Sequence, residues 1–171
     1  MSNYGFSGNA PSHPVTDSEV IFTRSTSGAE AVEGLIRSAT SSVVAALYRL
    51  SSPRLAAALD EAKAREVFIR ICLNDNDHYE ENQAAQQTLR SLGIPFRLLH
   101  GRSGAASKMH HKFAVIDWRT VVTGSYNWTL ESEERNYENL VVLRDRRSVV
   151  AYAEEFEALW REGHAPEMSG T

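Results

Sequence analysis

The sequence predicts an α/β fold, a mixed β-sheet sandwiched between helices. Short apolar runs rich in strand-forming residues alternate along the chain with segments that carry helix-capping signals, which is typical of a sheet covered on both faces. Two of these runs, 112–116 and 120–123, are separated only by a short turn, which indicates an antiparallel hairpin and makes the sheet mixed. The 171 residues, 42% of them hydrophobic and 23% charged, suffice for one domain with its own core.

The first half of the chain shows these signals clearly. A short strand at 20–23 precedes the capping box from Ser27 to Glu30, which opens a helix that runs to about residue 39. Ser52, followed by Pro53 at the first helical position, opens a second helix that runs to about residue 65. The remaining apolar runs predict buried strands, and these lie at 43–50, 67–73, 96–99, 112–116, 120–123 and 138–143.

Two further helices complete the predicted domain. Asp77 with Glu80 caps one that ends at Gly93, and Asp145 opens the last one, which ends near Gly163. Residues 1–17, rich in Ser, Asn, Gly and Pro, are predicted to form a flexible segment, residues 18–162 a single domain, and residues 163–171 a flexible tail.

Composition excludes several classes of protein. The single cysteine, Cys72, allows no internal disulfide and no cysteine-based zinc site. No apolar run is long enough to cross a membrane, and no signal-peptide pattern is present, so a cytoplasmic setting and no stable membrane insertion are expected. The acidic group around Asp75 and Glu80 lacks the pattern of a calcium loop, so no metal and no cofactor are expected. A net charge of −4 argues against nucleic-acid binding through bulk charge, but it leaves room for a local basic groove.

The most informative segment contains His110, Lys112 and Asp117, which have the spacing H-x-K-x4-D. Since residues two apart on a strand point to the same face, His110 and Lys112 are expected to project together while His111 and Phe113 point the other way. An imidazole beside an ammonium group suits a phosphate, because the lysine holds the anion while the histidine attacks it or transfers a proton.

The following strand ends at Gly124, after which Ser125 and Asn127 place a hydroxyl and an amide near the same point. A glycine lets the backbone approach a ligand closely, and the two polar groups can donate to phosphate oxygens. Taken singly, each of these residues also fits an ordinary structural role, as a capped histidine, a solvated lysine or a turn. Their joint occurrence at this spacing favours a phosphate site.

Together, His110, Lys112 and Asp117, followed by Gly124, Ser125 and Asn127, resemble the signature of the phospholipase D superfamily, whose members cleave phosphodiesters through a histidine nucleophile. The resemblance implies a phospholipase D-like fold. It also implies that Glu138, at the start of the next strand, orients the catalytic histidine, although Glu138 also fits a simple charge at a strand edge. Asp117, at the far end of its strand, is expected to have a supporting or structural role.

The chemistry of this family uses two histidines, one that attacks phosphorus and one that protonates the leaving oxygen. The chain contains one motif, and it is therefore similar to short members such as bacterial endonucleases and mitochondrial cardiolipin-hydrolase or piRNA-pathway proteins. Those members build one site across a two-fold axis, so the resemblance implies a homodimer with an isologous interface. His111 cannot supply the second histidine because adjacent strand residues face opposite ways.

Four residues are candidates for substrate binding: Arg49, Arg102, Lys108 and Trp118. Arg102 and Lys108 flank a Gly/Ser/Ala-rich loop that either closes over a phosphodiester or is a solvated connector. Arg49 either reaches the scissile phosphate or is solvated. Trp118 occupies a turn in which the family commonly has glycine; its ring could stack on a base, pack on a partner, touch lipid or be buried in the domain's own surface.

The sequence therefore predicts a metal-independent phosphodiesterase, specifically a nuclease that acts on DNA or RNA as a homodimer. The alternative is a phospholipid hydrolase of the cardiolipin type with the same chemistry. A lesser alternative is a module that binds phosphate or nucleic acid without turnover.

Overall fold

A computed structural model describes residues 17–75 and 80–166 of the chain. It contains eight strands: β1 (Ser18–Phe22), β2 (Ser42–Leu47), β3 (Phe68–Asn74), β4 (Phe96–Gly101), β5 (Gly104–Lys108), β6 (Lys112–Ile116), β7 (Thr120–Gly124) and β8 (Asn139–Leu143). The helices in this part of the chain are α1 (Gly28–Ser38), α2 (Pro53–Ala64), α3 (Glu80–Ser91), α4 (Leu130–Glu134) and α5 (Arg146–Glu162). The segment 1–16, most of the predicted flexible N terminus, and the predicted cap Asp77 lie outside the described residues.

All eight strands join one sheet in the order β1-β8-β7-β6-β2-β3-β4-β5. The pairs β2–β3 and β3–β4 are parallel, and the other pairs are antiparallel. The predicted mixed α/β sheet is thus confirmed. None of the helices in the described ranges is both long and apolar enough to cross a membrane.

The central strand β2 shows why the sheet needs helices on both faces. All of its residues are buried, and because side chains alternate along a strand they divide between two cores. Val43, Ala45 and Leu47 pack in the larger core with α1, α2 and α3. Val44 and Ala46 pack in the smaller core with α5. A strand buried on both faces reads as a continuous apolar run, which is what the sequence shows.

Two elements were missed from the sequence. Strand β5 has the sequence GAASK, without apolar alternation, and it is exposed. It forms because it folds back on β4 as an antiparallel hairpin, pairing His100 with Lys108, so the predicted Gly/Ser/Ala loop is partly a strand. Helix α4 has only five residues, too few for a periodic apolar pattern, and it is capped by the Thr129 side chain, which accepts from the Ser132 N–H.

The end of the domain extends past residue 162, where the sequence predicts a flexible tail to begin. The Leu98 N–H donates to the His164 carbonyl at 3.0 Å, and the His164 N–H donates to the Leu98 carbonyl at 3.1 Å. Arg97 also donates to the Gly163 carbonyl at 2.7 Å. These bonds fasten the start of the predicted tail to β4.

Candidate active site

His110 and Lys112 project together, as the strand pattern predicts. Lys112 Nζ lies 3.2 Å from His110 Nδ1 and 3.3 Å from Nε2, and it donates to the His110 carbonyl at 3.0 Å. The ammonium group is thus about equally close to both ring nitrogens. Neither nitrogen has a carboxylate partner among the described residues, so no acidic contact within this part of the chain fixes the tautomer of His110.

The segment that carries His110 is held in place by β3. Asn74, the last residue of that strand, is almost fully buried and accepts a hydrogen bond from the Met109 N–H at 2.9 Å through its side-chain oxygen. The Tyr48 N–H donates to the His111 carbonyl at 2.8 Å from the other side. Two neighbouring strand ends therefore fix the backbone on both sides of His110.

Tyr48 is a site residue for which the sequence analysis gave no role. Its ring centroid lies 4.4 Å from that of His110. Lys112 Nζ lies 5.1 Å and Lys108 Nζ 5.5 Å from the centroid of the Tyr48 ring, within cation–π range. The sequence feature that could have identified Tyr48 is its position directly after the buried strand β2. Parallel strands end at this edge of the sheet, and ligands commonly bind there.

The electrostatics of the pair suit an anion. Partial burial, followed by the charges of Lys112, Lys108 and His111, lowers the pKa of His110 below its ordinary value. Burial also lowers the pKa of Lys112, and the charge of Glu138 opposes that shift. A lowered pKa favours the neutral imidazole of His110, the form in which a ring nitrogen has a lone pair for attack.

His111 points away from this pair. Its Nε2 lies 3.2 Å from Glu155 Oε1 on α5, and its ring centroid lies 5.5 Å from that of Phe113. The opposite orientation of neighbouring side chains is therefore observed.

The loop after β7 depends on a glycine at position 124. Gly124 has φ +152°, and a Cβ atom there would lie 2.1 Å from the Asn139 carbonyl oxygen. Across β6 and β7, Phe113 pairs with Thr123, which places Gly124 beside Lys112. The following residues Ser125 and Asn127 are thus delivered to the end of the sheet that carries Lys112. The Asn127 side-chain oxygen is buried and has no hydrogen-bond partner among the described residues.

Glu138 does not contact His110 within the chain, contrary to the predicted orienting bond. Its carboxylate accepts a hydrogen bond from the Ser125 hydroxyl and another from the Asn136 side-chain amide at 3.2 Å. In the single chain, Glu138 therefore fixes the loop that carries Ser125. The Asn139 N–H also donates to the Ser125 hydroxyl oxygen at 3.1 Å, so this hydroxyl is held from two sides.

Three of the four predicted substrate-binding residues lie at the His110 end of the sheet. Arg102 and Lys108 line a cavity of about 580 Å³ between the β4–β5 hairpin and α5, together with His110. The α5 side of this cavity carries Glu155, so the cationic groups are concentrated on the hairpin side. Arg49 follows Tyr48 but is ion-paired with Glu131 at 2.8 Å, which ties its guanidinium group to α4.

Asp117 lies at the opposite end of β6 from His110 and is structural. Its carboxylate accepts hydrogen bonds from the N–H groups of Thr40, Ser41 and Ser42 at 2.9, 2.7 and 2.9 Å, and from the hydroxyls of Thr40 and Ser41. Although burial alone would raise the pKa of Asp117, these hydrogen bonds hold it far below its usual range. The aspartate therefore ties the β6–β7 turn to the start of β2, which is a structural role of the kind expected from its position at the far end of the strand.

Trp118 occupies the same turn, so its prediction as a residue beside the site is wrong. Asp117 and Trp118 have φ values of +53° and +54°, the left-handed region that favours glycine. The turn lies beyond β6, roughly 20 Å of extended chain from Lys112 at about 3.3 Å per residue. The Trp118 side chain is 42% exposed there.

Replacing Asp117 with Ala should destabilise the fold by about 2–4 kcal/mol, because it leaves three N–H groups without their charged acceptor. Since the folded pKa lies below the ordinary value of about 3.9, this stabilisation is complete above about pH 4 and is lost as the pH falls towards the folded pKa. Denaturant unfolding at pH 7 and at lower pH should show that the difference in free energy of unfolding between wild type and variant becomes smaller in acid.

The matched control is Asp145→Ala, which removes a half-buried helix cap that accepts a hydrogen bond from the Ser148 N–H and should have a smaller effect because only one such N–H loses its acceptor. The folded Asp117→Ala protein should keep its activity. An Asp117→Ala protein that is inactive but as stable as the wild type would show that Asp117 takes part in catalysis.

A second carboxylate network was not foreseen from the sequence. Glu133 of α4 accepts hydrogen bonds from the Ala29 N–H at 2.8 Å, from the Tyr126 hydroxyl at 2.9 Å and from the Ser27 hydroxyl. Burial alone would raise the pKa of Glu133, but the hydrogen bonds from Ser27, Ala29 and Tyr126 lower it. The network joins α4 to the start of α1 and so anchors the loop between β7 and α4.

Comparison with known proteins agrees with this geometry. A family model described as the cardiolipin synthase, phospholipase D-like domain matches residues 32–160, most of the chain. The chain belongs to the phospholipase D superfamily. This confirms the family resemblance on which the sequence analysis relied.

Relatives within the phospholipase D superfamily include the mitochondrial cardiolipin hydrolases. The protein from Xenopus tropicalis is 39% identical over 128 residues, which cover 75% of this chain and 59% of that protein. The human protein is 35% identical over 138 residues, covering 79% of this chain and 53% of that protein. The chain thus spans roughly half to three fifths of the length of these relatives.

Among solved structures, a phospholipase D family member, Nuc from Salmonella typhimurium, superposes with a TM-score of 0.79 at 27% identity, covering 88% of this chain and 98% of that one. NucT from Helicobacter pylori superposes with a TM-score of 0.77 at 21% identity, covering 87% of this chain and 98% of that one. The second likeness concerns the fold alone. Both agree with a phospholipase D-like α/β fold that extends over nearly the whole domain.

Proposed function

We propose that this protein is a metal-independent phosphodiesterase, specifically a nuclease, in which His110 is the nucleophile. The observation that carries the proposal is the Lys112 ammonium group, 3.2–3.3 Å from both ring nitrogens of His110. An ammonium group beside an imidazole whose nitrogens contact no carboxylate in the described part of the chain forms a site that prefers an anion with an electrophilic centre. A phosphodiester has both properties.

The reaction takes place in two displacements. In the first, a ring nitrogen of His110 attacks phosphorus, the bond from phosphorus to the leaving oxygen breaks, and that oxygen takes a proton from a general acid. In the second, water attacks phosphorus and gives a proton to the same group, which now acts as a base. The bond from phosphorus to the His110 nitrogen breaks, and a phosphomonoester is released. Lys112 and the polar groups of Ser125 and Asn127 stabilise the charge that develops on the phosphoryl oxygens.

The general acid is proposed to be the second His110 of a homodimer, which acts in its protonated, imidazolium form while the attacking His110 is neutral. Among the described residues, His100 and His111 line the same cavity as His110, but each already contacts a carboxylate of its own. His111 lies against Glu155, and His100 lies on Asp75, with its Nδ1 3.2 Å from the backbone carbonyl and its Nε2 3.5 Å from the carboxylate. A two-fold axis beside His110 would supply both the nucleophile and the acid.

Two substrate classes remain for this chemistry. The cationic hairpin residues Arg102 and Lys108, which line the cavity beside His110, favour a nucleic acid because a polyanion has further phosphates to bind on either side of the scissile one. The identity of 39% to a mitochondrial cardiolipin hydrolase favours a phospholipid of the cardiolipin type. We therefore propose nuclease activity as the main function and phospholipid hydrolysis as the alternative.

Purified protein should cleave DNA or RNA at an undiminished rate in EDTA. No group of three or more His, Cys, Asp or Glu side chains in the described ranges is arranged to hold a metal ion, and the histidine chemistry requires none. The measurement is an assay with labelled single- and double-stranded DNA, RNA and cardiolipin vesicles, each with and without chelator.

Each other outcome of this assay has a definite meaning. Activity that EDTA abolishes and magnesium or zinc restores would refute the mechanism. Turnover of cardiolipin alone would establish the phospholipid alternative. Binding of nucleic acid without any turnover would identify a binding module, the third possibility.

A further inference from the structure

A second cavity lies on the other side of the candidate site from the β4–β5 hairpin. It has a volume of about 430 Å³ and is lined by Phe22, Arg24, Ser25, Tyr137, Glu138 and Asn139. Its two aromatic side chains are unusually open, since Phe22 is 60% and Tyr137 77% exposed. The Arg24 guanidinium carbon lies 4.2 Å from the centroid of the Tyr137 ring. An exposed ring paired with a guanidinium group presents flat surfaces to solvent.

The backbone on both sides of Tyr137 is held firmly. The Thr23 N–H donates to the Glu138 carbonyl at 3.0 Å, and the Glu138 N–H donates to the Thr23 hydroxyl at 2.8 Å. The same hydroxyl donates to the Asn136 carbonyl at 3.2 Å. The open ring therefore stands on a fixed loop, which reduces the entropy lost when a ligand is bound.

The cavity adjoins the loop that carries Ser125. Glu138 lines the cavity and accepts from the Ser125 hydroxyl, and Gly124 pairs with Leu140 across β7 and β8. Phe22 pairs with Asn139 across β1 and β8. At about 4.8 Å between strands, these residues lie roughly 10–15 Å from Lys112 on β6. This separation suits a group close to the scissile phosphate but not directly attached to it.

We propose that this cavity binds an unpaired nucleobase, stacked on Tyr137 and Phe22, so that the substrate is a single-stranded nucleic acid. The proposal rests on the proposed nuclease function. Stacking on aromatic rings and on arginine is how proteins hold single strands without reading their sequence, and a base within a duplex has no free face for it. Ser25 and Asn139 add polar groups that can meet the edge of a base.

The test is a binding measurement in the His110→Ala background, which prevents cleavage. Fluorescence anisotropy compares a labelled oligothymidylate with an abasic oligonucleotide of the same length and charge. Tyr137→Ala should weaken binding of the oligothymidylate about tenfold and leave binding of the abasic strand unchanged, and Tyr137→Trp should retain the affinity. Because Tyr137 is exposed, these variants are expected to fold.

The matched control is Phe68→Ala, which removes another exposed ring, 52% exposed and 5.1 Å from the Arg70 guanidinium carbon. Phe68 pairs with Ser42 at the Asp117 end of the sheet, so its loss should leave both affinities unchanged. An equal loss of affinity for both strands, or no loss for either, would overturn the proposal. A Tyr137→Ala protein that loses its dimeric mass in light scattering would show that the ring packs on a second copy instead.

Wild-type cleavage separates this inference from the proposed function. A protein that cleaves cardiolipin and no nucleic acid would refute both. A protein that cleaves single strands while Tyr137→Ala binds them normally would refute the base-binding cavity alone, as would equal cleavage of single strands and duplexes.

Discussion

Replacing His110 with Ala should reduce turnover of a phosphodiester by about 10⁴-fold or more, because the proposed nucleophile is removed. Lys112→Ala should reduce it by about 10²–10³-fold, since the charge that stabilises the phosphoryl oxygens is lost. Both side chains lie outside the buried core, so the thermal stability of the variants should stay close to that of the wild type. The measurement is kcat/KM on a phosphodiester substrate, with thermal unfolding recorded in parallel.

The control for both variants is His111→Ala, which changes the neighbouring residue. His111 lies against Glu155 on α5, so its loss should change kcat/KM only a few-fold at most by the energetics of an exposed pair. An inactive His111→Ala protein together with an active His110→Ala protein would show that the nucleophile has been assigned to the wrong histidine.

Wild-type protein is mixed with excess His110→Ala protein under conditions that exchange subunits. The activity per mole of total protein should then fall as the square of the wild-type fraction. The reason is the proposed shared site: a mixed dimer holds one His110 and lacks either the nucleophile or the general acid. The protein should also have the mass of a dimer by light scattering.

The control for the mixing experiment is wild-type protein with His111→Ala protein, which should retain nearly full activity at every ratio. A linear fall with His110→Ala protein, or a fully active monomer, would show that each chain works alone. The second proton donor would then have to be sought within one chain, beginning with His100, which lies at the end of β4 before the hairpin that leads to the motif.

Local sequence was sufficient for most of the fold. Capping at Ser27, Ser52 and Asp145 was predicted, and in each case the side chain accepts from a backbone N–H in the first turn of the helix. These signals act over three residues, so they can be read from sequence without knowledge of the partner elements. Strand β5 could not be read in this way, because it is formed by pairing with β4 and not by its own composition.

The candidate site likewise has features that local sequence predicts and features that depend on tertiary contacts. The joint projection of His110 and Lys112 was predicted from their spacing on a strand, and it is observed although β6 begins at Lys112 and His110 precedes it. Glu138 was assigned by analogy with the family and Trp118 by nearness in the sequence, and within the single chain neither contacts His110. Glu138 bonds to Ser125, and Trp118 lies in the turn at the other end of β6, because a hairpin returns the chain to the site only after the turn is complete.

By itself the sequence determined the family, the alternation of strands and helices, and the joint projection of His110 and Lys112, because each of these depends on local spacing and residue type. Only the tertiary structure decided that Asp117 ties a turn to the start of β2, that Tyr48 packs against His110, and that Tyr137 stands beside Arg24. Each of these contacts joins residues far apart in the chain or separated by a turn. The strand order β1-β8-β7-β6-β2 brings them together, and long-range strand pairing of this kind is not encoded in any short window of sequence.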